Sequence, residues 1–218
     1  MEIIDFILHI DAHLEQFISQ YGVLVYGLLF LIVFMETGFV VTPFLPGDSL
    51  LFAAGALAAN EANNLNVFII IPMLILAALC GDNTNYFIGR YLAKKGEGAK
   101  LFGVFTIRKD YLDKTHQFYE RHGARTIIIA RFVPIVRTFA PFVAGVGHMT
   151  YSKYIRNCIA GALLWVISIT TAGYFLGTIP VIKKNFELVV FGIIFVSLIP
   201  VIIEVIRQYV ASQKVKNK

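Results

Sequence analysis

Residues 158–182 run for 25 positions without a charged side chain. That stretch constrains the fold more than any other feature. A helix needs about 20 predominantly apolar residues to span the hydrocarbon of a bilayer, and backbone at that depth must satisfy its own hydrogen bonds. Composition points the same way. The chain is 57% hydrophobic and 15% charged, whereas soluble domains run at about 45–50% apolar and about 25% charged. A soluble domain is excluded on these grounds. The formal charge of +5 then reads as basic loops facing the cytoplasm and anionic headgroups, and nucleic acid is not an expected partner.

Three further uncharged runs, Tyr21–Met35, Leu65–Gly81 extended to Gly89 across Asp82, and Leu188–Ile203, complete about four transmembrane helices. Segments 38–59 and 126–147 differ. Each is apolar but holds two prolines (Pro43 and Pro46; Pro134 and Pro141) and internal charge. Proline breaks the helical ladder, and broken backbone at membrane depth survives only against protein or a wet cavity. Both segments are therefore expected to be re-entrant hairpins, each made of two short helices meeting at a turn.

Residues 90–125 form a polar loop with nine basic and four acidic residues, placed in the cytoplasm by the positive-inside rule. Within it, 110–125 reads as an amphipathic surface helix. Counting crossings outward puts both termini in the cytoplasm and has the two hairpins enter from opposite faces. No cleaved leader is expected. The whole, 1–218, reads as a single all-α integral membrane domain with an inverted-repeat, transporter-like plan. A faint internal echo supports it: Pro43-Phe-Leu-Pro-Gly47 beside Pro141-Phe-Val-Ala-Gly145, and Tyr86-Phe-Ile-Gly89 beside Tyr174-Phe-Leu-Gly177.

Glu36, Asp48, Arg131 and Arg137 fall inside or against apolar segments. Each charge alone in lipid costs at least about 2.5–3.5 kcal/mol on insertion scales. Two acids and two arginines are best gathered around one polar cavity. On a straight helix, arginines six apart point about 120° apart; a break at Pro134 lets both face the same place. Paired guanidiniums suit phosphate oxygens and stay protonated. Burial and a neighbouring guanidinium act on a carboxylate in opposite senses, so Glu36 and Asp48 are the groups expected to exchange protons. The expected cycle has the arginines hold an anionic headgroup while the carboxylates compete for them.

Taken together, Glu36-Thr-Gly, Pro43-Phe-Leu-Pro-Gly-Asp48-Ser, Gly81-Asp82 with Tyr86 and Gly89-Arg90, and Ala130-Arg-Phe-Val-Pro-Ile-Val-Arg137-Thr resemble the DedA family of bacterial inner-membrane proteins, from about residue 20 to 206. The resemblance implies a membrane transporter related to VTT-domain lipid scramblases. Its cargo is expected to be undecaprenyl phosphate, with phosphatidylethanolamine or proton-coupled export of small cations or drugs as alternatives. It also implies that the family's essential acid pair and arginine pair are Glu36, Asp48, Arg131 and Arg137. Pro43, Pro46, Gly47, Asp82, Tyr86, Pro134, Thr138 and Pro141 are expected in support, Asp82 either as a cap or pair for Arg90 near a span end or as part of the cavity lining.

No metal, cofactor or catalytic centre is expected. Cys80 and Cys158 lack metal-ligand spacing and read as small buried apolar residues, and no Ser or Cys stands beside a paired base. Protons and a lipid headgroup are the expected partners.

Overall fold

The computed structural model describes residues 22–38, 47–60, 63–95, 100–101, 105–106, 123–180 and 192. Helix α1 (Val23–Gly38) buries Val25, Leu29, Val33, Glu36 and Thr37. That spacing of three and four residues marks a single face. Helix α2 (Gly47–Ala58) starts with Asp48 in its first turn, where an acid complements the helix dipole. Helix α3 (Val67–Lys95) is 29 residues long. Asn66 Oδ1 accepts from Phe68 N–H at its start, and Lys94 and Lys95 lie in its last turn. At about 1.5 Å per residue it spans roughly 43 Å, more than the hydrocarbon thickness.

Helices α4 (Thr126–Ala130) and α5 (Pro134–Val146) are separated by a turn at residues 131–133. Val133 is extended at φ −113°, ψ 107°, as expected of a residue before proline. Pro134 then opens α5, where its missing N–H costs nothing. Pro141 sits inside α5 without ending it. The sequence reading made both prolines breakers; only Pro134 is one. After a left-handed turn at His148 (φ 55°), α6 (Tyr151–Gly177) runs 27 residues.

Helices α3 and α6 lie antiparallel. Tyr86 stacks on Tyr154, the Asp82 carboxylate meets Cys158, and Leu74 and Ala78 share a cluster with Trp165 and Val166. Both are long and apolar enough to cross a membrane. Along their length they expose large apolar side chains (Phe68, Leu76, Phe87, Leu164, Phe175), with exposed charges at Lys94, Lys95, Lys153 and Arg156 toward one end of each, while Glu36, Asp82, Asn85, Arg131 and Arg137 are buried. This inside-out distribution is what a hydrocarbon solvent selects.

Two glycine crossings fix the packing. Helix α2 lies on α6: a Cβ on Gly55 would sit 2.9 Å from Tyr174 N and closer still to Thr170 O, and one on Gly173 would sit 2.9 Å from Phe52 C. Helix α5 lies on α3 in the same way. A Cβ on Gly145 would sit 2.9 Å from Arg90 N and closer to Tyr86 O, and one on Gly89 would sit 3.2 Å from Val146 N. Only glycine permits backbones this close. Phe52-Ala-Ala-Gly55-Ala56 thus corresponds to Phe142-Val-Ala-Gly145-Val146, and Gly173 to Gly89. Each short helix thus packs on the long helix that does not directly follow it in the chain. The register expected from sequence is corrected on both sides. Pro141–Gly145 matches residues inside α2 rather than 43–47, and Tyr86–Gly89 matches one helical turn before Tyr174–Gly177.

Other boundaries shift too. Helix α3 continues to Lys95, so residues 90–95, expected in the polar loop, are helical, and Asp82 lies mid-helix. Helix α6 starts at Tyr151, ahead of the expected 158. Among the described residues the all-helical expectation holds apart from one antiparallel ribbon, β1 (Lys100–Leu101) with β2 (Phe105–Thr106). Cys80 is exposed rather than buried. Pro43, Pro46, most of the expected amphipathic helix over 110–125, the span 188–203 apart from residue 192, and both termini lie outside the described residues.

Candidate functional site

The site is built where four elements meet at the middle of α3 and α6. The end of α1 brings Glu36, which is 1% exposed. The first turn of α2 brings Asp48, and α5 brings Arg137. The Arg137 fork holds both acids, Nη2 donating to Glu36 Oε1 and Nη1 to Asp48 Oδ1. Gly47 precedes Asp48 because no side chain fits there: a Cβ would lie 2.5 Å from the Glu36 carboxyl carbon. Trp165 Nε1–H donates to the same Asp48 oxygen at 2.8 Å.

Arg131 is the C-cap of α4. Its Nη2 donates to Asp82 Oδ2 and lies 3.5 Å from Cys158 Sγ, and the Cys158 thiol donates to that Asp82 oxygen at 3.3 Å. Tyr154 OH donates to the Asp82 carbonyl at 2.9 Å. Both guanidiniums lie over the Trp165 ring, Arg137 at 4.7 Å and Arg131 at 5.8 Å from its centroid. Cation–π attraction of this kind is strongest on Trp.

Asn85 brackets the assembly. Its Nδ2 donates to Thr138 O at 2.7 Å and Thr37 O at 3.3 Å, the carbonyls that follow Arg137 and Glu36 in the chain. One amide on α3 therefore sets the spacing of α1 and α5.

Three carboxylates face two guanidiniums, so with every group ionised the cluster carries one excess negative charge. Among the described residues, Glu36 Oε2, Arg131 Nε and Arg137 Nε are buried with no hydrogen-bond partner. Buried polar atoms are normally paired, and such orphans call for an explanation. A ligand of matching polarity supplies one: the two Nε–H groups suit an anion, and the carboxylate oxygen suits a proton.

Of the residues expected from sequence, Glu36, Asp48 and Arg137 are in direct contact. Arg131 shares their indole but pairs with Asp82, which corrects the expectation of two acids balancing two arginines. Asp82 faces protein and Arg131, not Arg90. Arg90 donates instead to Tyr86 OH at 2.7 Å, and Tyr86 OH donates to Met149 O at 2.6 Å. Tyr86 therefore braces α3 against the start of α6 outside the charged cluster. Thr138 is buried at the Asn85 bracket, Gly47 underlies Glu36, and Pro141 is buried in α5. Trp165, Cys158, Tyr154 and Asn85 were missed as site residues. Asn85 alone had a signal, three residues past Asp82 and hence on its helix face. Among the described residues no group of three or more His, Cys, Asp or Glu is placed to hold a metal ion.

The VTT domain model matches residues 45–175. Protein DedA of Escherichia coli K12 is 58% identical over 208 residues, 94% of this chain and 93% of that protein. An uncharacterized membrane protein of Mycobacterium tuberculosis H37Rv is 42% identical over 83% of this chain and 78% of its own length. The inner membrane protein YqjA of E. coli K12 is 35% identical over 76% and 73%. No solved structure matches.

Proposed function

The chain belongs to the DedA family of VTT-domain membrane proteins, and on that premise we propose that it moves a phosphate-headed lipid, foremost undecaprenyl phosphate, across the bacterial inner membrane with linked proton movement. The observation that carries this reading is the acid-excess cluster with its unpartnered Nε–H groups. With all three acids ionised, each guanidinium is held by carboxylates through its Nη groups and an anionic head is repelled. One added proton neutralises the cluster and a second leaves it cationic. Anion binding is thereby tied to proton uptake by charge balance alone.

The fold supports the same reading. Helices α3 and α6 are the full spans, with about two more outside the described residues or completed by them. Segments 38–59 and 126–147 are read as two re-entrant hairpins entering from opposite faces, with both termini cytoplasmic. The headgroup meets the cluster near the midplane while its tail stays in lipid, as inverted-repeat transporters arrange their cargo. The role is transport rather than catalysis, with no cofactor. Glu36 and Asp48 carry the protons, and Arg131 and Arg137 take the head.

A second reading has one observation in its favour. The Asp48 side chain is 22% exposed, which leaves a carboxylate open to an ammonium, so phosphatidylethanolamine is the competing cargo, and a small organic cation a remoter one.

The test is a flip assay in liposomes with purified protein, comparing undecaprenyl phosphate with phosphatidylethanolamine, with and without a pH gradient. Flipping of the polyprenyl phosphate that responds to the gradient, and is lost in Arg131→Lys, Arg137→Lys and Glu36→Gln, is expected. Wild-type activity in all three variants, or transport of phosphatidylethanolamine alone, overturns the proposal.

A further inference from the structure

We propose that the polar site is two locks sharing one platform: Glu36–Asp48–Arg137 and Asp82–Cys158–Arg131 open separately, each presenting its own guanidinium to the headgroup, while the Trp165 indole holds both guanidiniums in place. This deepens the phosphate-lipid reading and rests on it for the identity of the head. The argument starts from partition of the contacts. Among the described residues the Arg137 guanidinium bonds to Glu36 and Asp48, and the Arg131 guanidinium to Asp82 and Cys158. The group common to both is Trp165, 1% exposed, with each guanidinium over its ring.

Each lock also has its own orphaned donor, the Nε–H of Arg137 in one and of Arg131 in the other, both in side chains more than nine-tenths buried. Gly161 keeps the second lock tight: a Cβ there would lie 3.2 Å from Arg131 Nε. The groups facing Asp82 are Arg131 from the α4 end and the Cys158 thiol from α6, while Tyr154 OH holds its backbone carbonyl. Neutralising Asp82 releases Arg131 without touching Arg137. A flat, cation-binding ring shared by the two guanidiniums keeps each arginine in place while the other's lock opens. Trp165 acts as a positioning residue, through the arginines and Asp48.

Cys158 reports on the second lock, since it is buried inside it while Cys80 is exposed. In a Cys80→Ser background, the rate of Cys158 labelling by a membrane-permeant maleimide reads whether that lock opens. Asp82→Asn is expected to raise the rate at least tenfold, and Glu36→Gln to change it less than twofold. Equal acceleration by both variants means one undivided pocket and overturns the proposal, as does an unchanged rate in Asp82→Asn. If Asp82→Asn does not elute as a folded species, Arg131→Lys, which keeps the charge but loses the fork, takes its place with the same expectation. Trp165→Leu is expected to erase the difference between the two acid variants, whereas Trp165→Phe, which keeps a ring, preserves it.

A separate arm adds dodecyl phosphate to Asp82→Asn. Slowed labelling supports the phosphate reading. Unaltered labelling with the two-lock pattern intact overturns that reading and leaves the locks standing.

Discussion

Removing one charge from the cluster has very different consequences depending on its sign. Arg137 is the hydrogen-bonded partner of both Glu36 and Asp48, and the Glu36 side chain is 1% exposed. Arg137→Gln leaves three carboxylates against Arg131 alone, two of them without a paired cation. Orphaning a buried ion in this way costs about 3–5 kcal/mol. Glu36→Gln does the opposite: it removes the excess negative charge, leaves Arg137 on Asp48, and keeps an amide oxygen for the guanidinium. Its cost is about 1 kcal/mol or less, the scale of one ordinary hydrogen bond. For a chain of this size about 2–4 °C of melting temperature corresponds to each kcal/mol. Arg137→Gln should therefore melt about 6–20 °C below wild type, and Glu36→Gln within about 4 °C of it. In the double variant the orphaned Glu36 charge is gone, so it should recover part of the loss, with a coupling of roughly 1–3 kcal/mol. The assay is thermal unfolding in detergent, followed by loss of the monodisperse peak on size exclusion. If Glu36→Gln costs as much as Arg137→Gln, the cluster is not in acid excess and the charge argument for proton-linked binding fails with it.

Gly145→Val should lower the melting temperature by several degrees, since its side chain meets the Tyr86 carbonyl and Arg90 nitrogen and overpacking costs about 1–3 kcal/mol. Gly27→Ala, with nothing within 4 Å of its Cβ, should gain roughly 0.5–1 kcal/mol of helix propensity in the same melt. Binding of a polyprenyl or dodecyl phosphate should strengthen as pH falls, because an anion entering an acid-excess cluster favours its protonated forms. Calorimetry in two buffers of different ionisation heat should show net proton uptake; proton release would contradict the scheme. Asn85→Leu removes one donor from each of two carbonyls, at about 0.5–1.5 kcal/mol per hydrogen bond, and loosens the spacing of Glu36 and Arg137. It should slow lipid flipping more than Tyr86→Phe, which loses a bond outside the cluster, when both are compared at a temperature well below their melts.

What the sequence by itself determined is the solvent and the anomalies. A run of 25 uncharged residues leaves a bilayer as the environment, and in that environment Glu36, Asp48, Arg131 and Arg137 stand out because each is expensive alone. Pro134 made the break between α4 and α5 legible, since proline dictates the conformation of the residue before it. Pro141 misled, because a proline's effect inside a helix depends on what surrounds the freed carbonyl. Which acid meets which arginine was decided only in three dimensions. Asp82 joined the cluster because α3 runs straight through to Lys95, placing that residue mid-helix opposite α6, and neither fact is local. The glycine crossings depend on backbone approaching backbone. Trp165 and Cys158 look like packing residues in any linear reading, because indole and thiol are compatible with lipid and with ions alike. Only their neighbours, 27 to 117 residues away in the chain, turn them into parts of a charged site.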